Sequence, residues 1–369
     1  MTVPHERPGR RVRLYHQLRT AHLERAVQLP PATIVYGARR YDFDDRLTAR
    51  LDLVQTSGLG AAWWMCTHDV TTLEVNEPLY RQSVRRTAVA LTGLRAGQLV
   101  RRGPRPQVVC YAIENLDPSE LPPPTTRRAR LARRVDARLA SLVWHRVDRV
   151  AFGTEASAHL YGRVLPRRVS RATQVVPALP AAQVRPDEVS KTPGAMLFLG
   201  AFDDRKGVRQ VLAAWPSVRR SARAAGRLLV LGKGPLEGLV RARAVADPTI
   251  EVEVDPSRER IREALEDSQV LVLPAQPTPG WREQVGLPIV EGLSYGCTVV
   301  CTAETGLASW LRQHGHHVLE DPLSEDSLVA ALVRALRHPL PVAHVLASLP
   351  AQDGRLVADA WLFERPATR

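Results

Sequence analysis

Two acids, Glu283 and Glu291, are separated by seven residues in the stretch from Trp281 to Val300, whose residue types and spacing could do chemistry. Gly286 stands between them, where a loop would turn into a helix. Leu287, Val290, Leu293 and Ser294 then recur at helical spacing and predict a helix over about Gly286–Tyr295. Glu283 falls on the loop before that helix and Glu291 about two turns along it. Helix N-terminal amides and the positive end of the dipole lie between the acids and would suit a phosphate. Carboxylates flanking such a site could accept hydrogen bonds from the hydroxyls of a sugar and a ribose. The same pattern fits a helix with a solvated acidic face, so the surroundings decide.

Upstream, Arg205-Lys206-Gly207 follows an apolar run and precedes a helix-like one. Fixed cations there would neutralise a diphosphate and stabilise it as a leaving group. A charged surface turn is the alternative. Gly232-Lys233-Gly234 imitates a dinucleotide fingerprint, but Gly238 comes one residue late and the strand before it is the second of its domain. A nicotinamide site is therefore not expected. Asp42-Phe43-Asp44 is a D-x-D that in another architecture would bind a metal and a nucleotide-sugar. Here it stands at a predicted helix start, where aspartates cap. No His- or Cys-rich metal spacing, nucleophile elbow or Walker loop occurs. In the first half, Glu77 closes the strand Thr71–Pro78, and Glu114-Asn115 follows the strand Gln107–Ile113. Carboxyl ends of strands form the ligand crevice of open α/β sheets, so Glu77, Glu114 and Asn115 are site candidates, with strand-end caps as the alternative.

These residues need elements to hold them. Strands at Ala195–Gly200, Arg227–Leu231, Ile250–Val254, Gln269–Leu273 and Cys297–Cys301 alternate with helical segments up to Ser324–Arg337. That alternation predicts a parallel, doubly wound sheet. The first half is less regular. Its first thirty residues read as basic and helix-like, with Leu14, Leu18, Leu23 and Val27 as an uneven apolar stripe. Strands follow at Ala32–Gly37 and Leu51–Thr56, and a basic helical segment from Leu79 to about Arg95. A helix after Pro124 holds Arg127, Arg128, Arg130, Arg133, Arg134 and Arg138 beside an apolar stripe of Leu131, Val135, Leu139, Leu142 and Val143. Arg149–Thr154 reads as a strand, and Asp353–Phe363 as a last helix.

With 369 residues, 44% hydrophobic and 24% charged, the chain can bury two ordinary cores and is not disordered. The proline-rich Val176–Pro193 stretch reads as a linker. The expected division is a domain at 1–185, a second at 186–345 and a tail at 346–369 that packs back on the first. A formal charge of +13 implies an anionic partner, whether nucleotide, lipid headgroup or nucleic acid, unless the arginine excess reflects genome composition. The Arg127–Arg138 helix could lie on an anionic leaflet or simply turn an arginine face to solvent. Cys66, Cys110, Cys297 and Cys301 form no CxxC pairing and lie in or beside apolar runs, so buried reduced thiols of a cytoplasmic protein are expected. Neither a secretory signal nor an 18-residue apolar run is present, so no membrane span is expected.

Gly200-x5-Lys206-Gly207, Gly232-x-Gly234-Pro235 and Trp281-x-Glu283-Gln284-x-Gly286-x4-Glu291-Gly292-x3-Gly296 follow one another in this order. Together they resemble the C-terminal domain of glycosyltransferase family 4, retaining enzymes of the GT-B fold. The resemblance covers about Met196–Ala335 and is only architectural over the first 190 residues. It implies an α/β GT-B protein, two Rossmann-like parallel-sheet domains facing across a cleft, with a nucleotide-diphosphate sugar as donor. By that resemblance Lys206 would hold the diphosphate and Glu283 the donor sugar's hydroxyls. The amides of Gln284, Val285 and Gly286 would lie near sugar and phosphate, and Glu291 would accept the ribose hydroxyls. Gly200, Gly232 and Gly234 would line the nucleotide pocket. Many members carry an arginine where this chain has Ala201, so either Arg205 would supply the second cation or diphosphate binding would be weakened. Many also carry a histidine at the end of the comparable strand, where this chain has Glu114; either Glu114 would replace it or the acceptor pocket differs, and His68, the nearest spare histidine, is not expected to serve.

No cofactor or metal is expected beside the donor. The resemblance and the charge together imply a glycan or lipid-linked acceptor and peripheral contact with an anionic membrane at the inner face of the plasma membrane. Two other classes stay open. Ala201 and the absent histidine favour a non-catalytic GT-B scaffold that binds nucleotide or a partner protein. The charge alone suggests a nucleic-acid-binding protein, but the basic stretches lack interleaved aromatics, and nucleic acid is not the expected partner.

Overall fold

A computed structural model describes residues 10–40, 43–166, 171–222, 226–320 and 323–364. The chain divides into two compact units: one runs to Gly153, takes in Ser157–Pro177 and resumes at Arg355, and the other comprises Thr154–Ala156 and Ala178–Gly354. Val176 and Pro177 belong to the first unit, and from Ala178 onward the proline-rich stretch belongs to the second. Its backbone is tied there, Gln183 N–H donating to Ser294 O at 2.9 Å and Gly354 N–H to Leu179 O at 2.8 Å. The division thus falls after Pro177 rather than at 185, and residues 346–354 stay with the second unit.

The first unit is built on β1 (Arg10–Leu18), α1 (Thr20–Gln28), β2 (Thr33–Arg39), β3 (Leu53–Gln55), α2 (Gly58–Thr67), β4 (Val70–Val75) and α3 (Arg81–Arg101). It continues with β5 (Gln107–Ala112), α4 (Arg127–Arg146), β6 (Arg149–Phe152), α5 (Glu155–Val164) and β7 (Ala172–Val175). All seven strands are parallel, in the order β3-β2-β1-β4-β5-β6-β7. Right-handed crossovers put α1 on one face and α2, α3 and α4 on the other. The larger core joins Leu14, Leu73 and Cys110 of the sheet to Met65, Val84 and Val143 of those helices.

The first thirty residues are not one basic helix: the segment from Arg10 to Leu18 is the central strand and only Thr20–Gln28 is helical. Arginine misleads here. Arg13 is 1% exposed, and its guanidinium lies 3.3 Å from Glu74 on β4 and 2.9 Å from Asp359 on the closing helix. A cation buried against acids so far along the chain leaves no local trace in the sequence. Helix α2, also unforeseen, is apolar all round and so shows no helical periodicity.

The second unit comprises β8 (Thr192–Leu199), α6 (Val208–Ser221), β9 (Arg227–Gly232), α7 (Glu237–Ala246), β10 (Ile250–Val254), α8 (Arg258–Asp267) and β11 (Ser268–Leu273). After these come α9 (Leu287–Ser294), β12 (Thr298–Thr302), α10 (Ala308–Gln313), β13 (His317–Leu319), α11 (Glu325–Arg337) and α12 (Val342–Ala347). The closing helix α13 (Gly354–Phe363) returns to the first unit, where Ala358, Leu362 and Phe363 pack on Val109 and Ala151. The six strands of the second unit are parallel, in the order β10-β9-β8-β11-β12-β13. In both units the chain winds outward from the first strand, then reverses to the fourth. Ligand crevices of such sheets open at that reversal, outside the carboxyl ends of the two strands. In the second unit these strands are β8 and β11.

Candidate functional site

The loop leaving β8 is short and held by its own side chains. Asp203 caps the single turn Asp204–Lys206, accepting the Arg205 amide at 2.8 Å and the Arg205 guanidinium at 3.0 Å. Those bonds from Arg205 hold the Asp203 carboxyl below the usual carboxylate range. Gly207 then takes φ +74, and a Cβ there would sit 2.1 Å from the Pro274 carbonyl. Glycine is what lets this loop touch the one leaving β11. Gln276 N–H donates to Arg205 O at 2.9 Å across the same contact.

This contact brings Lys206 and Glu283 together. The Lys206 ammonium donates to Glu283 Oε2, and the Glu283 residue is 8% exposed. Trp281 supports both cations from one side, its ring centre 4.9 Å from the Arg205 guanidinium and 5.3 Å from Lys206 Nζ. The loop leaving β9 closes on the same place. A Cβ on Gly232 would lie 1.8 Å from the Gly200 carbonyl, so the chains cross backbone to backbone. Fully buried Phe202 pins them, its N–H donating to Lys233 O and its carbonyl accepting from Leu236 N–H, both at 2.9 Å. Gly200, Gly232 and Gly234 are thus neighbours of one crossing.

The loop after β12 fixes the segment following Glu283. Gly306 N–H donates to Gln284 O at 2.9 Å and Thr305 Oγ1 to Val285 O at 2.9 Å. Planar trans peptides set each carbonyl antiparallel to the next amide, so the amides of Val285 and Gly286 turn away from that loop. Gly286 opens α9 with φ +79, and Pro288 in its first turn has no N–H to lose.

Glu291, on α9, is met from another direction. Arg258, the first residue of α8, donates to Glu291 Oε1 at 2.8 Å. The arginine is exposed and the acid half-buried. The two acids therefore have different partners, Lys206 for one and Arg258 for the other. Arg258 was not foreseen: its only signal is the Ser257 cap before it, and spacing does not tie it to Glu291.

The first unit has its own strand-end group. Glu77 Oε2 accepts the amides of Ile113 and Glu114, at 3.0 and 2.9 Å, and the Tyr161 hydroxyl at 3.1 Å. Burial, reinforced by the Glu114 charge, pushes the Glu77 carboxyl up to about 8. Glu114 turns back on its own loop, accepting the amides of Asn115 and Leu116. Glu77 and Glu114 thus hold the end of β5 together. His68 ends α2, its Nδ1 2.9 Å from Trp64 O and its ring stacked on Trp64 at 4.1 Å. Asp42 lies outside the described residues; Asp44 caps the turn Asp45–Arg50 through the Arg46 amide. Among the described residues no cluster of His, Cys, Asp or Glu is disposed to hold a metal, and no helix is long and apolar enough to cross a membrane.

Residues 193–338 match the family model of glycosyl transferases group 1. Over the whole chain, similar solved structures include WaaG, a glycosyltransferase involved in lipopolysaccharide biosynthesis (15% identity, 96% of this chain and 99% of that one, TM-score 0.61). Anabaena HepE in complex with UDP is similar at 10% identity over 96% of each chain, with TM-score 0.62. OtsA is similar at 13% identity over 97% of this chain and 100% of its own, with TM-score 0.61. At these identities the likeness shows the fold, which is GT-B. No curated protein matches the chain in sequence.

Proposed function

We propose that the protein is a retaining glycosyltransferase, moving a sugar from a nucleotide-diphosphate sugar to an acceptor hydroxyl in the assembly of a cell-surface polysaccharide, glycolipid or related glycan. The observation that carries this reading is the Lys206–Glu283 contact at the carboxyl ends of β8 and β11. On donor binding, Lys206 transfers its hydrogen bonds to the diphosphate, and Glu283 accepts the sugar hydroxyls instead. Arg205, braced on Trp281, adds a second cation, with the amides from Gln284 to Gly286 beside sugar and phosphate. Glu291, one oxygen fixed by Arg258, takes the ribose hydroxyls.

The bond from the sugar's anomeric carbon to the phosphate oxygen breaks as that carbon bonds to the acceptor oxygen on the same face. The departing phosphate takes the acceptor's proton. The protein's part is positioning and charge stabilisation, and the cations make a metal unnecessary. Glu114, at the end of β5, would serve the acceptor side. HepE is solved with UDP-glucose, which supports a nucleotide-sugar donor for this fold. The acceptor we propose is a glycan or lipid-linked hydroxyl presented at the inner face of the plasma membrane. A thermal-shift panel of nucleoside diphosphates and their sugars tests the donor half, because a ligand that binds only the folded state raises its apparent stability. No shift with any of them overturns the reading. Unchanged product formation in chelator supports the metal-free step, and its loss refutes that step.

One observation favours a second reading, a nucleotide-binding scaffold without transfer. Arg205 is already bound by both oxygens of Asp203, and Ala201 offers no replacement cation. Nucleotide binding without donor hydrolysis or transfer would decide for it.

A further inference from the structure

Helices α2, α3 and α4 together hold twelve arginines, no lysine and one acid, Asp136. They thus account for eleven of the thirteen net positive charges of the chain. Asp136 is 8% exposed and occupied by Arg85 at 2.7 Å and Arg81 at 3.6 Å, so no carboxylate faces outward from these helices. Right-handed crossovers place all three on one face of the sheet. They form one continuous layer. Residues Gly93 and Gly97 let α3 lie directly against α2, where a Cβ would come within 2.0 Å of Ala62 O and 2.5 Å of Cys66 O. Asp136 ties α4 to α3.

The same layer is unusually apolar outside. Of the twelve large apolar side chains exposed among the described residues, seven are here: Leu59, Trp63, Leu99, Val100, Leu131, Val135 and Leu142. Trp63 is 72% and Leu59 79% exposed, and both border a shallow groove of about 420 Å³ between α2 and α3, walled by Ala62, Cys66, Val89 and Thr92. On α4 the exposed Leu131, Val135 and Leu142 alternate with the exposed Arg127, Arg134 and Arg138. A surface built for nucleic acid would pair its cations with several stacking aromatics, whereas Trp63 is the one large aromatic exposed on this layer among the described residues. Exposed apolar side chains interleaved with arginine are the chemistry of an interfacial surface, which buries the first in acyl chains and sets the second against headgroup phosphates.

We infer that the α2–α4 layer docks on an anionic lipid leaflet, with Leu59 and Trp63 inserting beside the groove and the exposed arginines of α3 and α4 lying against the phosphates, while Arg86 stays buried on Thr56 O. This rests on the proposed reading of a lipid-linked or cell-surface acceptor and specifies the face that would approach it.

The test is co-sedimentation of the full chain with phosphatidylglycerol–phosphatidylcholine vesicles, against phosphatidylcholine alone, at about 50 mM and about 500 mM salt. Binding is expected to the anionic vesicles at low salt and not to the neutral ones. Trp63→Asp with Leu59→Asp should weaken it about ten-fold or more, and Arg127→Gln with Arg134→Gln and Arg138→Gln should weaken it similarly. Val245→Asp, at a position 89% exposed on α7, should leave it unchanged. Circular dichroism and melting temperature check that each variant folds. Absence of sedimentation at low salt overturns the inference, as does binding indifferent to Trp63→Asp with Leu59→Asp. Preferential binding of a short RNA duplex that only the arginine variants lose overturns it too. Nucleotide thermal shift reads the other unit: if it persists while vesicles are ignored, only this inference fails, and if it is absent while vesicles bind, only the transferase reading fails.

Discussion

Lys206 Nζ donates to Glu283 Oε2 across the two loops that leave β8 and β11, and the two side chains are only 17% and 11% exposed. The cation proposed for the diphosphate and the acid proposed for the sugar are therefore each other's partners. On the proposed reading donor binding exchanges these partners, and the two residues should respond oppositely to a nucleoside diphosphate that carries no sugar.

Glu283→Gln frees Lys206 from its counter-charge while keeping the shape of the side chain. Nucleoside diphosphate should then raise the melting temperature at least as much as in the parent protein, although transfer falls about a hundred-fold or more for want of the sugar contact. Lys206→Ala should lose both the nucleotide shift and transfer. It also leaves a buried carboxylate short of one hydrogen bond, at about 2 kcal/mol. Thermal shift with and without nucleotide, beside product formation, measures all of these. Transfer near the parent rate in either variant would sink the assignment.

Glu291 gives a different pattern because its partner is exposed. Arg258 is 68% exposed, so their ion pair contributes about 0–1 kcal/mol and Glu291→Ala should barely change the melting temperature. Donor KM should nevertheless rise steeply, since the ribose loses its acceptor. If KM stays level in Glu291→Ala while the protein remains folded, this acid has no part in the donor site.

How legible all this was in the sequence depended on how local each requirement is. The loops at Gly200–Gly207 and Gly232–Pro235 and the start of α9 announce themselves because close crossings and positive φ demand glycine at fixed spacing. The partners that complete the site do not. Arg258 reaches Glu291 from α8, and Asp203 holds Arg205 within a turn that reads as any charged loop. The central strand of the first unit was misread because Arg13 is neutralised by Glu74 and Asp359, distant in sequence. The Arg127–Arg146 helix showed its charge and its apolar stripe in sequence, but not which leucines of that stripe the fold leaves uncovered. Only packing reveals that Leu131 and Leu142 face outward.

Two glycines separate a structural requirement from a coincidence of spacing. Gly207→Ala forces a Cβ to within 2.1 Å of the Pro274 carbonyl at φ +74. It should cost about 2 kcal/mol or more and shift Lys206, so transfer should fall with stability. Gly238, whose position imitates a dinucleotide motif, has nothing within 4 Å of where a Cβ would stand, at the second residue of α7. Gly238→Ala should be neutral or stabilise by up to about 1 kcal/mol with transfer unchanged. Urea denaturation and turnover on the two variants make the comparison, and a loss of transfer in Gly238→Ala would reopen the dinucleotide reading.

Glu77 should make the first unit's stability depend on pH in a stated direction. Its carboxyl is pushed up to about 8 by burial and by the Glu114 charge, from an ordinary value near 4.5. Between those two values the folded state holds a proton that the unfolded chain has lost. Stability from this group is therefore full below about 4.5 and declines as pH rises, by at most about 1.4 kcal/mol per pH unit, until the folded carboxyl has ionised near 8. Glu77→Gln keeps an oxygen to accept the amides of Ile113 and Glu114 and the Tyr161 hydroxyl but cannot ionise. The variant should match the parent near pH 5, exceed it at pH 8, and show a flatter profile between. Glu77→Ala removes the acceptor altogether and should destabilise at every pH, by about 1–3 kcal/mol for each buried donor left without a partner. Urea midpoints from pH 5 to 8 measure the profile. Parallel profiles for the parent and Glu77→Gln would mean that Glu77 is ionised throughout this range and braces the end of β5 as a carboxylate.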